Sequence, residues 1–327
     1  MELIQQHHQQ FLSHLDAYTG GLKNKKPEEL YKPEKYILSL GGKRIRPILA
    51  LLACDLFEKS PERALNSALC VELFHNFSLI HDDILDNAPI RRGKPTVHEK
   101  WNTNIAILSG DVMLVKAFEI LQSYPAEEFK QLVALFSKTA IEVCEGQQMD
   151  MNFETQHDVS TEDYVQMITY KTAVLLGCSL QMGAINAGAS QQDQNNIYEF
   201  GKHLGIAFQI LDDVLDVYAE DQEKFGKQVG GDILSNKKTF LLLKCFELAN
   251  EADTEALRMY LKPTLNPEQK IKNVMSLYDK LGVKELALNE ADYHTKKSLE
   301  YLFKINASAE KKNQLQLFAI HLLNRTV

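Results

Sequence analysis

"ALNSALCVELFHNFSLIHDDILD" (64–86) repeats apolar residues at intervals of three and four: Leu65, Leu69, Leu73, Phe77, Ile80 and Ile84. That spacing is the period of an α-helix. Ala68, Cys70, Val71 and Phe74 fill the gaps with more apolar side chains, so the helix must be covered on most sides. Other helices can supply that cover. The same period recurs at 46–58, 106–124, 126–153, 161–189, 192–218, 236–250, 267–282 and 284–305, and no alternating strand pair joined by an Asn-Gly or Asp-Gly turn interrupts it. Pro33, Gly41-Gly42, Pro47, Pro61, Pro89, Gly93, Pro95, Pro125, Gly226, Gly230-Gly231 and Pro263 mark the expected joints. The expectation is an all-α chain of about ten or more helices, many of them buried.

The run ends in acid. Asp82 and Asp86 are four apart and share a helix face, while Asp83 is turned aside by roughly 100°. "FQILDDVLD" (208–216) repeats the arrangement about 130 residues later, with Asp212 and Asp216 as the pair and Asp213 turned aside. Like charges at this spacing repel, and carboxylates set among Leu, Ile, Val and Phe need partners. One copy could be a solvated helix face; two copies in apolar surroundings point to a cation. Hard oxygen donors with room for water suit Mg²⁺, which bridges carboxylates to phosphate oxygens. A calcium loop would need alternating acids around a central Gly, and neither copy has one.

Bases accompany both copies. Lys43, Arg44 and Arg46 precede the first, Arg91 and Arg92 follow it, and Lys224, Lys227, Lys237 and Lys238 follow the second. Paired acids beside several basic clusters equip a chain for a diphosphate, or for two. The whole chain of 327 residues is nonetheless acidic, with a formal charge of −8, which argues against nucleic acid as a partner. Its five cysteines are dispersed and form no CxxC pair, as expected of reduced thiols in a cytoplasmic protein. The first twenty residues lack a basic region followed by an apolar one, so no signal peptide is expected. No apolar run reaches the length of about 18 residues that a membrane span needs.

The chain resembles the trans-isoprenyl diphosphate synthases, or polyprenyl synthetases, at "GGKRIRP" (41–47), "LIHDDILDNAPIRRGKPTVH" (79–98), "GQQMDM" (146–151), "YKTA" (170–173), "FQILDDVLD" (208–216) and "GKQVGGDILSNKKT" (226–239). The order and rough spacing match that family. The resemblance implies a single isoprenoid-synthase-type helical bundle over 1–327 with a central substrate cavity. Its motif-bearing core would cover about 35–245, with helices of about 250–327 packed on it. It implies head-to-tail joining of isopentenyl diphosphate to an allylic diphosphate (dimethylallyl, geranyl or farnesyl) and a homodimer.

Residue by residue, Asp82 and Asp86 would hold two Mg²⁺ ions and Asp212 a third, with Asp213 and Asp216 in support. Arg91, Lys171, Thr172, Gln209, Lys227 and Lys237 would line the allylic substrate; Lys43, Arg46, His75 and Arg92 would hold isopentenyl diphosphate. Asp82, Asp86, Asp212, Lys171, Lys227 and Arg91 form the implied catalytic set. The departing diphosphate, rather than a side chain, would accept the final proton.

Product length follows from the same helix. Phe77 and Ser78 lie five and four residues before Asp82, about one turn deeper, and a bulky side chain there would floor the growing chain. One aromatic and no insertion in the first acid motif look most like a geranylgeranyl (twenty-carbon) synthase. A farnesyl synthase is the alternative, and a longer-chain enzyme or a regulatory subunit of a heteromeric synthase stands further off. A terpene cyclase would normally carry one aspartate-rich motif and a different second metal motif.

Overall fold

The computed structural model describes residues 2–219, 230–262 and 264–323. Lys224, Gly226, Lys227 and Pro263 lie outside them. Nearly every element among the described residues is a helix. No helix there is long and apolar enough to cross a membrane. The residues fall into two compact units, one drawn from 1–137, 178–197 and 306–312, the other from 138–177, 198–305 and 313–327.

In the first unit, the helix Leu65–Leu85 packs along Thr103–Leu121 and against Ile45–Leu56. Glu28–Ser39 lies against Thr103–Leu121, and the first helix, Glu2–Gly21, against Ile45–Leu56. Leu49, Leu51, Leu73, Phe74, Met113 and Leu121 are fully buried, each such large side chain contributing ~1.5–3 kcal/mol of transfer free energy. Pro33 does not mark a joint as expected: it sits inside Glu28–Ser39. The smallest elements are the strands Ile90–Arg91 and Lys94–Pro95, paired antiparallel. Their turn has positive φ at both Arg92 and Gly93, the geometry that matches strand twist in a two-residue hairpin. An Arg at the first of those positions carries no hairpin signal, which is why the pattern alone shows no strands.

In the second unit, Phe240–Leu248 packs on Pro267–Leu281 and Val283–Lys304. Tyr164, Met167, Ile206, Ile210, Val214, Phe240 and Tyr278 are among its buried core. The expected continuous helix over 161–189 is broken. Thr161–Ile168 runs into a π-helical turn, Thr169–Ala173, before Val174–Asn186 resumes the α-helix. The backbone is crowded at the break. A Cβ on Gly146 would lie 2.3 Å from the Lys171 amide nitrogen, and one on Gly205 would lie 2.6 Å from the Ala173 Cα. The widened turn is thus gripped by two bare backbones, and π turns of this kind are frequent where side chains must be re-aimed.

Candidate active site

The first acid motif closes the helix Leu65–Leu85, with Asp86 as its C-cap. Its three acids divide by face. Asp83 is buried and takes Arg91, whose Nε lies 2.9 Å from both carboxylate oxygens and whose other nitrogen lies 2.7 Å from Oδ1. Asp82 is half-buried and Asp86 exposed. Asp83 therefore fixes the hairpin that carries Arg91, while the i,i+4 pair points elsewhere.

The arginines of "GGKRIRP" also divide. Arg44, at a φ of 48° just before the helix Ile45–Leu56, is buried and pairs with Glu72 and the Leu38 carbonyl. It is a structural residue. Arg46 instead donates to His75 Nε2 at 3.2 Å. A guanidinium can only donate, so that ring nitrogen must accept. Burial and the nearby Arg46 and Arg92 push His75 well below the usual histidine range, which keeps it neutral. Arg46 itself is pulled down to about 10 by burial, and its Nε is buried with no partner. Arg92 donates to the Gly41 carbonyl and lies flat against Gly42, where a Cβ would come within 3.0 Å of the guanidinium carbon. That contact is one reason for the two glycines. Arg46 and Arg92 thus bond to a ring nitrogen and a carbonyl, not to carboxylates, and an anion would satisfy both. Lys43 is exposed beside them in sequence.

Beneath the acids, Phe77 is 8% exposed. Its ring centroid lies 4.7 Å from that of His81 and 5.6 Å from that of Phe74. Phe74 meets Phe136, which meets Phe118. The half-buried Ser78 turns its hydroxyl back onto the His75 carbonyl.

In the second unit, the π turn presents Lys171 and Thr172 in succession. Lys171 Nζ lies 2.5 Å from Asp150 Oδ2, one turn along from Gly146. "GQQMDM" thus supplies both the gap and the counter-charge, two roles its letters do not announce. Thr172 donates to Gln209 Oε1 at 3.3 Å, and Gln209 Nε2 donates to Asp213 Oδ1 at 3.2 Å. Tyr164, which sequence reasoning did not single out, donates to the other oxygen of Asp213. Burial, then Asp232, push the Asp213 carboxyl up to about 7, against the pull of Lys237, Tyr164 and Gln209.

Asp212 is half-buried. Asp216, expected to share its face, is 8% exposed, because the returning chain closes over it: Gly230 N–H donates to its carbonyl and Asp232 N–H to its Oδ2. Of the neighbouring lysines, Lys238 anchors the carbonyls of Phe153 and Gln156, while Lys237 is exposed. Lys227 lies outside the described residues.

Among the described residues, no three His, Cys, Asp or Glu side chains form a group that could hold a metal ion. Asp82, Asp86 and Asp212 would offer Mg²⁺ hard carboxylate oxygens, with waters and substrate oxygens completing its shell.

Comparison with known proteins shows the family. A family model described as "Polyprenyl synthetase" matches residues 27–281. The chain is 38% identical over 300 residues to a short chain isoprenyl diphosphate synthase of Methanothermobacter thermautotrophicus, covering 91% of each. It is 43% identical over 244 residues to a geranylgeranyl diphosphate synthase of Methanosarcina mazei, covering 74% of this chain and 75% of that one. A crystal structure of a geranylgeranyl pyrophosphate synthase superposes with a TM-score of 0.93 at 42% identity, covering 99% of both chains. The chain belongs to the polyprenyl synthetase family and is a prenyltransferase.

Proposed function

We propose that the chain joins isopentenyl diphosphate head-to-tail to allylic diphosphates and stops mainly at the twenty-carbon product. The observation that carries this reading is the division within each acid motif. Asp83 and Asp213 are buried, while Asp82, Asp86 and Asp212 are half-buried or exposed. In this reading those three hold Mg²⁺, with Asp216 and Asp213 supporting from within. When bound, the metal supplies positive charge to the diphosphate leaving group.

The side chains do the rest. Arg91, Lys171, Lys227 and Lys237 neutralise charge as the allylic C–O bond breaks and its electron pair leaves with diphosphate. Thr172 and Gln209 face the allylic cation with oxygen lone pairs. Lys43, Arg46, neutral His75 and Arg92 hold isopentenyl diphosphate, whose double bond attacks the cation to form the new C–C bond. One proton is then lost to restore a double bond. We assign it to the released diphosphate and name no side-chain base. Water must be kept out, since it would quench the cation.

Phe77, with Phe74, Phe136 and Phe118 behind it, is the proposed floor, and Ser78 leaves one side of that layer open. Relatives named geranylgeranyl diphosphate synthase support the length. Chromatography of dephosphorylated product, made from labelled isopentenyl diphosphate and farnesyl diphosphate, tests both claims. Wild type should yield the twenty-carbon alcohol, and Phe77→Ala should lengthen it by at least one five-carbon unit, since about a ring's volume is freed. No labelled alcohol would refute the reaction; an unchanged distribution in Phe77→Ala would place the floor elsewhere.

We also propose a homodimer. Leu108 and Val115, on the helix Thr103–Leu121, are 58% and 66% exposed. With Pro27, Leu30, Ile105 and Val112 they line a largely apolar cavity of about 350 Å³. An apolar patch of this kind suits a second copy. Sedimentation should show a dimer that Leu108→Glu/Val115→Glu converts to monomer; a monomeric wild type would remove the proposal.

A further inference from the structure

Tyr164 is 1% exposed, and Asp213 4%. A buried tyrosine bonded to a carboxylate is ordinarily a satisfied core residue. This one stands at the head of a directional chain. Both Asp213 carboxylate oxygens accept, one from each of two neighbours. Tyr164 donates with its phenol. Gln209 does so with its amide nitrogen. The Gln209 amide is thereby fixed: turned over, it would set its carbonyl against the carboxylate. Its oxygen must then face Thr172, and Thr172 spends its single hydrogen on that oxygen. Each hydrogen bond in the chain is donated toward Asp213, leaving only the second Gln209 amide hydrogen outside it. What remains at the far end is lone pairs, on Thr172 Oγ1 and Gln209 Oε1.

We propose that Tyr164 is a positioning residue for the prenyl transfer. By locking the Asp213 carboxylate it sets the polarity of the Gln209–Thr172 pair, so that lone pairs rather than hydrogens meet the allylic carbon as it becomes cationic. This rests on the reading above, in which Thr172 and Gln209 line the allylic substrate. Preorganised dipoles of this kind stabilise developing charge because they need not reorient during the reaction. Lys171, adjacent to Thr172 on the same π turn, serves the opposite charge on the diphosphate. The turn therefore presents a cation and an acceptor side by side.

The test uses two unreactive allylic bisphosphonates of equal shape. One has a protonated amine nitrogen where the cationic carbon would form; the other has carbon there. Affinities are measured at one pH throughout. Wild type should prefer the ammonium probe. Tyr164→Phe should reduce that preference about tenfold and lower kcat by a similar factor. Its affinity for the carbon probe and its KM for isopentenyl diphosphate should stay within about twofold of wild type. Thr172→Val should lose the same preference, and Tyr164→Phe/Thr172→Val should lose no more than Thr172→Val alone, since residues acting through one another are not additive. If Tyr164→Phe does not fold, Asp213→Asn, whose amide gives the Gln209 carbonyl a donor to face, should show the loss instead. An intact preference, equal weakening of both probes, or additive losses would overturn the assignment. Failure of both probes to bind wild type would overturn the substrate reading on which it rests.

Discussion

Asp82→Ala and Asp212→Ala should each lower kcat about a thousandfold or more, with helix content unchanged. The two halves of this expectation have one cause. Asp82 lies in the last turn of its helix, four residues before Asp86. A carboxylate there opposes both the helix dipole and its like-charged neighbour. Alanine relieves both, so helix content should hold. Turnover is different: the carboxylate is proposed to hold the cation that makes diphosphate a competent leaving group. Asp83 differs in being buried and bonded to Arg91. Circular dichroism and initial rates on the same preparations check the claim. Near-normal turnover by Asp82→Ala in excess chelator would contradict it.

Lys116→Met should destabilise the protein by ~3–5 kcal/mol, lowering its melting temperature by about 10 °C. Lys116 Nζ lies 2.7 Å from Glu34 Oε2, and Glu34 is fully buried. Tyr18 donates to the other oxygen, and Lys116 lies over the Tyr31 ring at 4.6 Å. The group joins the helices Glu2–Gly21, Glu28–Ser39 and Thr103–Leu121 of the first unit. Removing the ammonium leaves Glu34 charged in a dry site, with one phenol as its remaining side-chain donor. Replacing both partners should hurt less than replacing one, because no unpaired charge remains. Lys116→Met/Glu34→Gln should therefore recover part of the loss. A Lys116→Met protein melting within about 2 °C of wild type would show that the pair contributes no such stability.

Much of the fold was legible because helical period and burial are local properties. The stretch 64–86 could be read as a buried helix from its spacing alone, and the inward turn of Asp83 and Asp213 follows from the angle per residue. What escaped the sequence depends on distant segments. The π turn packs against bare backbone at Gly146 and Gly205, and no window around "YKTA" contains either glycine. Asp216 is buried because Gly230 and Asp232 return to it. Arg44 and Arg46 look alike in "GGKRIRP". Only the positive φ at Arg44 turns one guanidinium to Glu72 and leaves the other beside His75. Tyr164 was invisible for the same reason: its partner lies 49 residues away.

The central claim is that paired acids and two basic clusters serve two different diphosphates in one reaction. An omission experiment on the purified chain tests it most directly, by following label from isopentenyl diphosphate into an acid-labile, solvent-extractable product. Label should appear only when isopentenyl diphosphate, an allylic diphosphate and Mg²⁺ are all present, and chelator should abolish it. Label transfer without the allylic partner, or undiminished in chelator, would contradict the account.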